Sequence, residues 1–289
     1  MISAAREVFG HRFGNPVLLA SGTAGYGREL AGIVDFSALG GIVTKAVSLA
    51  PRAGNPAPRV AEFAGGMLNS VGLANPGMAA VRDVELPWLL GRWPGLAVLV
   101  NVVGSTVDEY PAVIAGLSDL EAITAFELNL SCPNTSAGGI EFGTDPLQVA
   151  EILSRCRRET KRPLVVKLSP ALPDIPSIAA AAQQAGAAGV SLVNTMPGTL
   201  TADNGAPRLG QGRGGVSGPP LLPIGVLATR LVAERSPGFP IIGVGGIRSA
   251  SDARQYLRAG ASLVAIGTAG LADPRLPERV ARDLGSDRG

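Results

Sequence analysis

The chain has 289 residues, 46% hydrophobic and 17% charged, a balance that excludes a disordered protein and allows one large core. Its formal charge of +2, from 25 basic and 23 acidic side chains without a basic block, excludes a nucleic-acid-binding surface. Two distant cysteines, Cys132 and Cys156, with a single histidine exclude a zinc or iron–sulfur site built by this chain alone.

The start, "MISAAREVFGHRF", has no basic segment followed by an apolar core, so it does not read as a signal peptide. No apolar run reaches the roughly 18 residues of a membrane span. A soluble, cytoplasmic protein with neither a membrane nor a nucleic-acid partner is expected. His11, in "GHRFGNP", precedes the first strand-like run and belongs at the far end of the fold from any chemistry.

Eight short apolar runs follow in order: "PVLLASG" (16–22), "GIVTKAV" (41–47), "LAVLVNVVG" (96–104), "AFELNLS" (125–131), "PLVVKLS" (163–169), "GVSLVNT" (189–195), "PIIGVGG" (240–246) and "LVAIGTA" (263–269). Continuous β-branched or leucine-rich runs suit parallel strands buried on both faces. Between them lie segments with helical spacing, "TVDEYPAVIAGLSDL" and "PLQVAEILSRCRRET". "DIPSIAAAAQQAGA" opens on Asp174 as N-cap and ends near Gly186, and "SASDARQYLRAGA" opens on Ser249 or Ser251 and ends at Gly260. Eight βα units predict an α/β protein, a (β/α)8 TIM barrel forming one domain over residues 1–289. The alternative is a doubly wound open sheet.

Two connections, 48–76 and 196–219, are too long for simple loops. Both follow C-terminal ends of strands, the catalytic face of a barrel, so they are expected to wall or cover a site. Arg52 and Arg59, in the first of them, are expected in solvent or against another subunit.

Polar residues at the strand ends predict what that site holds. Lys45, Asn101, Asn129, Lys167, Asn194 and Thr195 fall in or just after five successive strands. One such lysine reads as a side chain reaching water at the rim, because burying it unpaired is costly. Six polar residues on neighbouring strands read as one pocket. Gly245–Gly246 before a helix and Gly267–Thr268 at the next turn suit a phosphate. Asparagine amides, which both donate and accept, suit a flat heterocycle, and lysines suit negative charge developing on it.

"FELNLSCPNTSAGG", 126–139, places Cys132 just beyond a strand end. A thiolate can act as a base without histidine, since a free thiol ionises near pH 8.5. The alternative is a small buried hydrophobe, the reading that also suits Cys156 on its helix. On these residues alone, a barrel binding a phosphorylated ligand without redox chemistry stays open.

Taken together, "TKAVSLAPRAGNPAPR", "GMLNSVGLANPG", "NLSCPNTSAGGIEFGTDP", "VVKLSP", "GGVSGP", "GVGGI" and "IGTAG", in order over about residues 5 to 270, resemble the dihydroorotate dehydrogenase family. The resemblance implies an FMN-containing barrel that oxidises (S)-dihydroorotate to orotate in pyrimidine synthesis, with Cys132 as the base. It implies substrate contacts from Lys45, Asn69, Asn129, Asn194 and Thr195, with Asn69, Ser70, Val71, Gly72 and Leu73 lying against orotate. It implies that FMN is held by Ser21, Lys45, Ala46, Asn101, Asn129, Lys167, Val193, Gly218, Gly245, Gly246, Gly267 and Thr268. A serine base and an N-terminal extension mark the membrane-associated, quinone-linked subtype; cysteine here implies the soluble class 1.

The "TSAGGIEFGTDP" and "TKAVSLAPRAGNPAPR" stretches resemble the NAD-linked class 1B subtype more than the fumarate-linked one. That implies a homodimer within a heterotetramer, whose partner subunit carries FAD and a [2Fe-2S] cluster and passes electrons to NAD. A fumarate-linked enzyme and a flavin-dependent dihydropyrimidine dehydrogenase are the alternatives on the same scaffold.

Overall fold

The computed structural model describes residues 5–131, 133–134 and 140–286. Eight parallel strands close into a barrel: β1 Val17–Leu19, β2 Gly41–Val43, β3 Ala97–Val102, β4 Ala125–Asn129, β5 Leu164–Leu168, β6 Gly189–Leu192, β7 Ile241–Val244 and β8 Leu263–Ile266. Each pairs with its neighbours in sequence, and β8 returns to β1 through Val264 opposite Val17. The expected eight-unit barrel is therefore the fold, and the open sheet is not. Every residue of these strands is buried, which is why they read as unbroken apolar runs.

Successive side chains alternate between two cores. Leu18, Val43, Leu99, Ala125, Val165 and Leu263 fill the barrel interior. Leu19, Ile42, Val100, Phe126, Val166 and Val264 face the surrounding helices. A hairpin of Arg6–Val8 and His11–Phe13 plugs the N-terminal end, where Val8 and Phe13 join the interior cluster. Phe9 packs there against Gly189 at the start of β6, where a Cβ would stand 2.8 Å from the Phe9 ring. His11 lies in this hairpin, edge-on to Phe13 with ring centroids 5.0 Å apart.

The helical shell includes α1 Leu86–Arg92, which continues a short α-turn at Met78–Ala80 and a π-helical stretch at Val81–Glu85, then α2 Glu109–Leu117, α3 Pro146–Glu159, α4 Ile175–Gln184, α5 Leu221–Arg235, α6 Ala250–Arg258, α7 Thr268–Ala272 and α8 Leu276–Ser286. Asp174 accepts the Ser177 N–H at 3.0 Å and starts α4; Ser249, not Ser251, accepts the Asp252 N–H at 3.2 Å and starts α6. Gly186 and Gly260 end these helices at φ +89° and +111°. Cys156 is fully buried under α3, and burial pushes its thiol up to about 12. Among the described residues no helix is long and apolar enough to cross a membrane.

The first βα unit departs from the expected repeat. Between β1 and β2 the chain makes only short 3-10 turns, Arg28–Leu30 and Phe36–Ala38. Gly22, Gly25, Gly27 and Gly32 all take positive φ there, incompatible with a continuous helix. The cover comes from α8, which packs on β1 and on the Phe36 turn. Buried Glu278 accepts the Asp35 N–H at 2.7 Å, and Arg282 reaches the Asp35 carboxylate at 3.0 Å.

The two long connections are one structure. Strands Val60–Phe63 and Gly66–Asn69 come from the first, and Met196–Gly198 and Gly214–Ser217 from the second. They form a four-stranded antiparallel sheet in which Gly66–Asn69 pairs with Gly214–Ser217. Ala61, Leu68 and Leu209 make its small core.

Candidate active site

The barrel interior is apolar up to a definite level and polar above it. Two residues beyond Leu99, Ala125 and Val165, strand alternation directs Asn101, Glu127 and Lys167 into the same interior. Asn101 stands opposite Glu127 in register, and its Nδ2 donates to Glu127 Oε1 at 2.7 Å. Lys167 Nζ lies 4.0 Å from that same oxygen and donates to Ser21 Oγ, just past β1, at 2.9 Å. Glu127 is 1% and Lys167 5% exposed, so each charge needs the other and the amide and hydroxyl between them. Ser191 is next to Lys167 in register, and its Oγ is buried without a partner among the described residues.

A second polar layer sits at the strand ends. Asn194, after β6, donates from Nδ2 to Asn129 Oδ1 at 3.4 Å, and the Thr195 N–H donates to Asn194 Oδ1 at 2.9 Å. Asn129, 7% exposed, closes β4. Val193 is buried and bonds from its N–H to Val244 O at 2.9 Å. Lys45 is half-buried after β2 and forms no ion pair with a described carboxylate. Ala46 is buried beside Val103 and Leu73.

The antiparallel sheet brings in the segment from Asn69. Asn69 Nδ2 donates to Gly215 O at 3.1 Å, so it is tied to the other long connection. Ser70 Oγ accepts from Asn55 Nδ2 at 2.8 Å, and Val71 O accepts the Asn55 N–H at 3.1 Å. Gly72 and Leu73 both take left-handed backbone, φ +71° and +55°. Arg59 holds this loop from inside, donating to Asn55 O at 2.6 Å and Ala53 O at 2.9 Å. Arg52 donates to Ser105 Oγ at 2.7 Å and pairs with Glu109 at 3.5 Å. Both arginines stay part-exposed, as expected, and they also brace the loop, because bare loop carbonyls and a nearby carboxylate offer them partners within the chain.

On the far side, Gly245 and Gly246 take φ +120° and +73°, and Gly218 takes +94°. A Cβ on Gly246 would stand 2.5 Å from the Leu222 N at the start of α5. Tyr256 OH fixes this turn by donating to Val244 O and Gly245 O at 2.9 and 2.8 Å. Gly267 and Thr268 open α7, but Gly267 has φ −108° and ordinary room for a side chain.

Each of the three tyrosines does the same work. Tyr26 donates to Ala46 O at 3.1 Å, Tyr110 to Asn129 O at 3.0 Å, and Tyr256 as above. All four carbonyls lie at or just beyond the C-terminal ends of barrel strands, and burial raises the phenols of Tyr26 and Tyr256. These residues and Glu127 were missed from sequence. Glu127 carried a signal, a charge inside a strand expected to be buried on both faces; the tyrosines carried none. Cys132 lies outside the described residues, while Ser131 before it is half-buried with Oγ lacking a partner among them.

Residues 3–287 match the family model described as dihydroorotate dehydrogenase. The chain is 45% identical over 283 residues to the dihydroorotate dehydrogenase B (NAD(+)) catalytic subunit of Geobacillus kaustophilus, covering 97% of this chain and 89% of that one. The corresponding subunit of Geotalea daltonii is 43% identical over 281 residues, 96% and 90% of the two chains. A Solibacter usitatus protein, provisionally named a dihydroorotate dehydrogenase A (fumarate), is 46% identical over 284 residues, 97% and 92% of the two. By its barrel, its order of motifs and these full-length likenesses, the chain belongs to the dihydroorotate dehydrogenase family.

Proposed function

We propose that this chain oxidises (S)-dihydroorotate to orotate in cytoplasmic pyrimidine biosynthesis, as the FMN-binding catalytic subunit of an NAD-linked enzyme. The whole of 1–289 serves as one domain, with the 48–76 and 196–219 connections over the site. What carries the reading is the pair of stacked polar layers at the strand ends: Ser21, Lys167, Glu127 and Asn101 below, Asn129 and Asn194 above.

That donor set suits FMN. Asn101, Asn129 and Lys167 offer amide and ammonium groups to a flat heterocycle, and Ser191 Oγ is a buried hydroxyl without a partner among the described residues. Ser21, Ala46 and Val193 would line it, and the turns at Gly218, Gly245–Gly246 and Gly267–Thr268 would hold its phosphate. When bound, FMN supplies the hydride acceptor.

The chain's own residues supply the rest. Cys132 removes the proton from the ring carbon beside a carbonyl, as a thiolate. Lys45, a half-buried cation, balances the substrate carboxylate and the charge growing on the carbonyl oxygen. Asn69, Asn129, Asn194 and Thr195 meet the ring's alternating donors and acceptors, and the Ser70–Val71–Gly72–Leu73 turn walls it from water. A partner subunit bearing FAD and a [2Fe-2S] cluster would supply the route for electrons to NAD, in a heterotetramer built on a dimer of this chain. The names of the Geobacillus and Geotalea relatives support that linkage. The Solibacter relative's name favours fumarate as a second reading.

The test is anaerobic. The purified chain loaded with FMN and mixed with dihydroorotate loses its visible flavin absorbance, while dihydrouracil leaves it unchanged. Colour then returns with NAD only when the partner is added; direct reoxidation by fumarate replaces the NAD linkage with the second reading. No bleaching by dihydroorotate overturns the proposal.

A further inference from the structure

Glu127 has no role in the chemistry above, yet its burial demands one. The described carboxylates buried to below a tenth are Glu127 and Glu278. Glu278 is explained by the Asp35 N–H and by Arg282 on the helical shell. Glu127 is inside the barrel, at the junction of Asn101 Nδ2 and Lys167 Nζ. Lysine is also scarce: among the 25 basic side chains only Lys45, Lys161 and Lys167 are lysines, and Lys161 is exposed on the outer shell. Surface cations are nearly all arginine, and two of the three compact ammonium groups stand at the barrel end.

We propose that Glu127 is a positioning residue that holds Lys167 and Asn101 toward the cofactor and, through Lys167, keeps down the reduction potential of bound FMN. The inference rests on the reading above that Lys167 and Asn101 hold FMN. A bare ammonium favours electron gain by a group beside it. A carboxylate about 4 Å from that ammonium offsets the effect strongly in a dry interior. Glu127 also fixes where the ammonium sits, since Lys167 is held between Glu127 on β4 and Ser21 beyond β1.

Glu127→Gln keeps the volume and an oxygen for Asn101 but loses the charge. Its bound FMN is expected to have a midpoint potential raised by about 30 mV, a tenfold stronger preference for the reduced form in a two-electron couple. Glu127→Asp, which restores the charge, brings the potential back toward the starting value. A purely structural role would weaken both variants and leave the potential where it was, and that result overturns the proposal. If Glu127→Gln holds no flavin, a double-mutant cycle with Lys167→Met on the FMN-free protein decides. The double variant is expected to unfold at least fivefold less readily than the two single effects predict, and additive effects overturn the pairing. Unaltered protein that takes up no FMN overturns the cofactor reading and the potential with it; unaltered protein that binds FMN beside a Glu127→Gln of unchanged potential overturns this inference alone.

Discussion

Asn69 and Gly215 face each other across two strands 146 residues apart, joined by the Asn69 Nδ2 bond to the Gly215 carbonyl. The wall of the site is therefore one sheet made from both long connections. A Cβ at Gly215 would stand 2.0 Å from Thr195 Oγ1. Gly215→Ala is thus expected to displace Thr195 and tilt the wall, lowering kcat/KM for dihydroorotate by about 10²-fold while flavin content stays constant. Steady-state kinetics beside the flavin-to-protein ratio check it; loss of flavin instead of substrate affinity would mean the wall belongs to the cofactor.

The proposed base gives a pH profile with one origin. A base must be deprotonated, so flavin reduction rises with pH below the thiol pKa and levels off above it; free thiols ionise near pH 8.5. Burial pushes the Cys156 thiol up to about 12 and raises the Tyr26 and Tyr256 phenols, so these groups stay protonated over that range. Stopped-flow reduction is expected to follow a single ionisation, and Cys132→Ser to slow it by about 10²-fold or more. A rate flat from about pH 6 to 10 would remove Cys132 from the role.

Lys45 predicts an equilibrium effect. As a half-buried cation with no described carboxylate beside it, it gains a partner when an anionic ligand binds. Orotate at about 100 times its dissociation constant adds about 2.7 kcal/mol of stability. Thermal unfolding is expected to show that shift with orotate, little with uracil, and to lose most of it in Lys45→Met.

Tyr256→Phe leaves Gly245 O without the Tyr256 donor and Val244 O with only the Val193 N–H, at a cost of about 1 to 3 kcal/mol. Because those carbonyls set the Gly245–Gly246 turn, FMN affinity is expected to fall about tenfold along with the stability. Fluorescence titration of free FMN measures it. A stability loss with unchanged FMN affinity would detach this turn from the phosphate.

The barrel was legible because its signal is local and repeated. Runs such as "PLVVKLS" combine short length with burial on both faces, and caps such as Asp174 act on their own helix. The helix-less first unit was missed because the expectation of a repeat outweighed four glycines between 22 and 32 that take positive φ. The shared sheet was invisible because Gly66–Asn69 and Gly214–Ser217 are glycine-rich and pair over a distance that no local pattern encodes. Lys167 stood out as a charge in an apolar run; the same reasoning applied to Glu127 two strand positions before the end of its own run would have found its partner.

A nascent chain cannot finish its own beginning. Asp35 is translated early, but Glu278, which takes its N–H, leaves the ribosome only after all eight strands have emerged. Until then β1 lacks both its β8 neighbour and the α8 roof, so the cylinder waits open along that seam. Closure of that seam therefore waits on α8, and this helix is the latch.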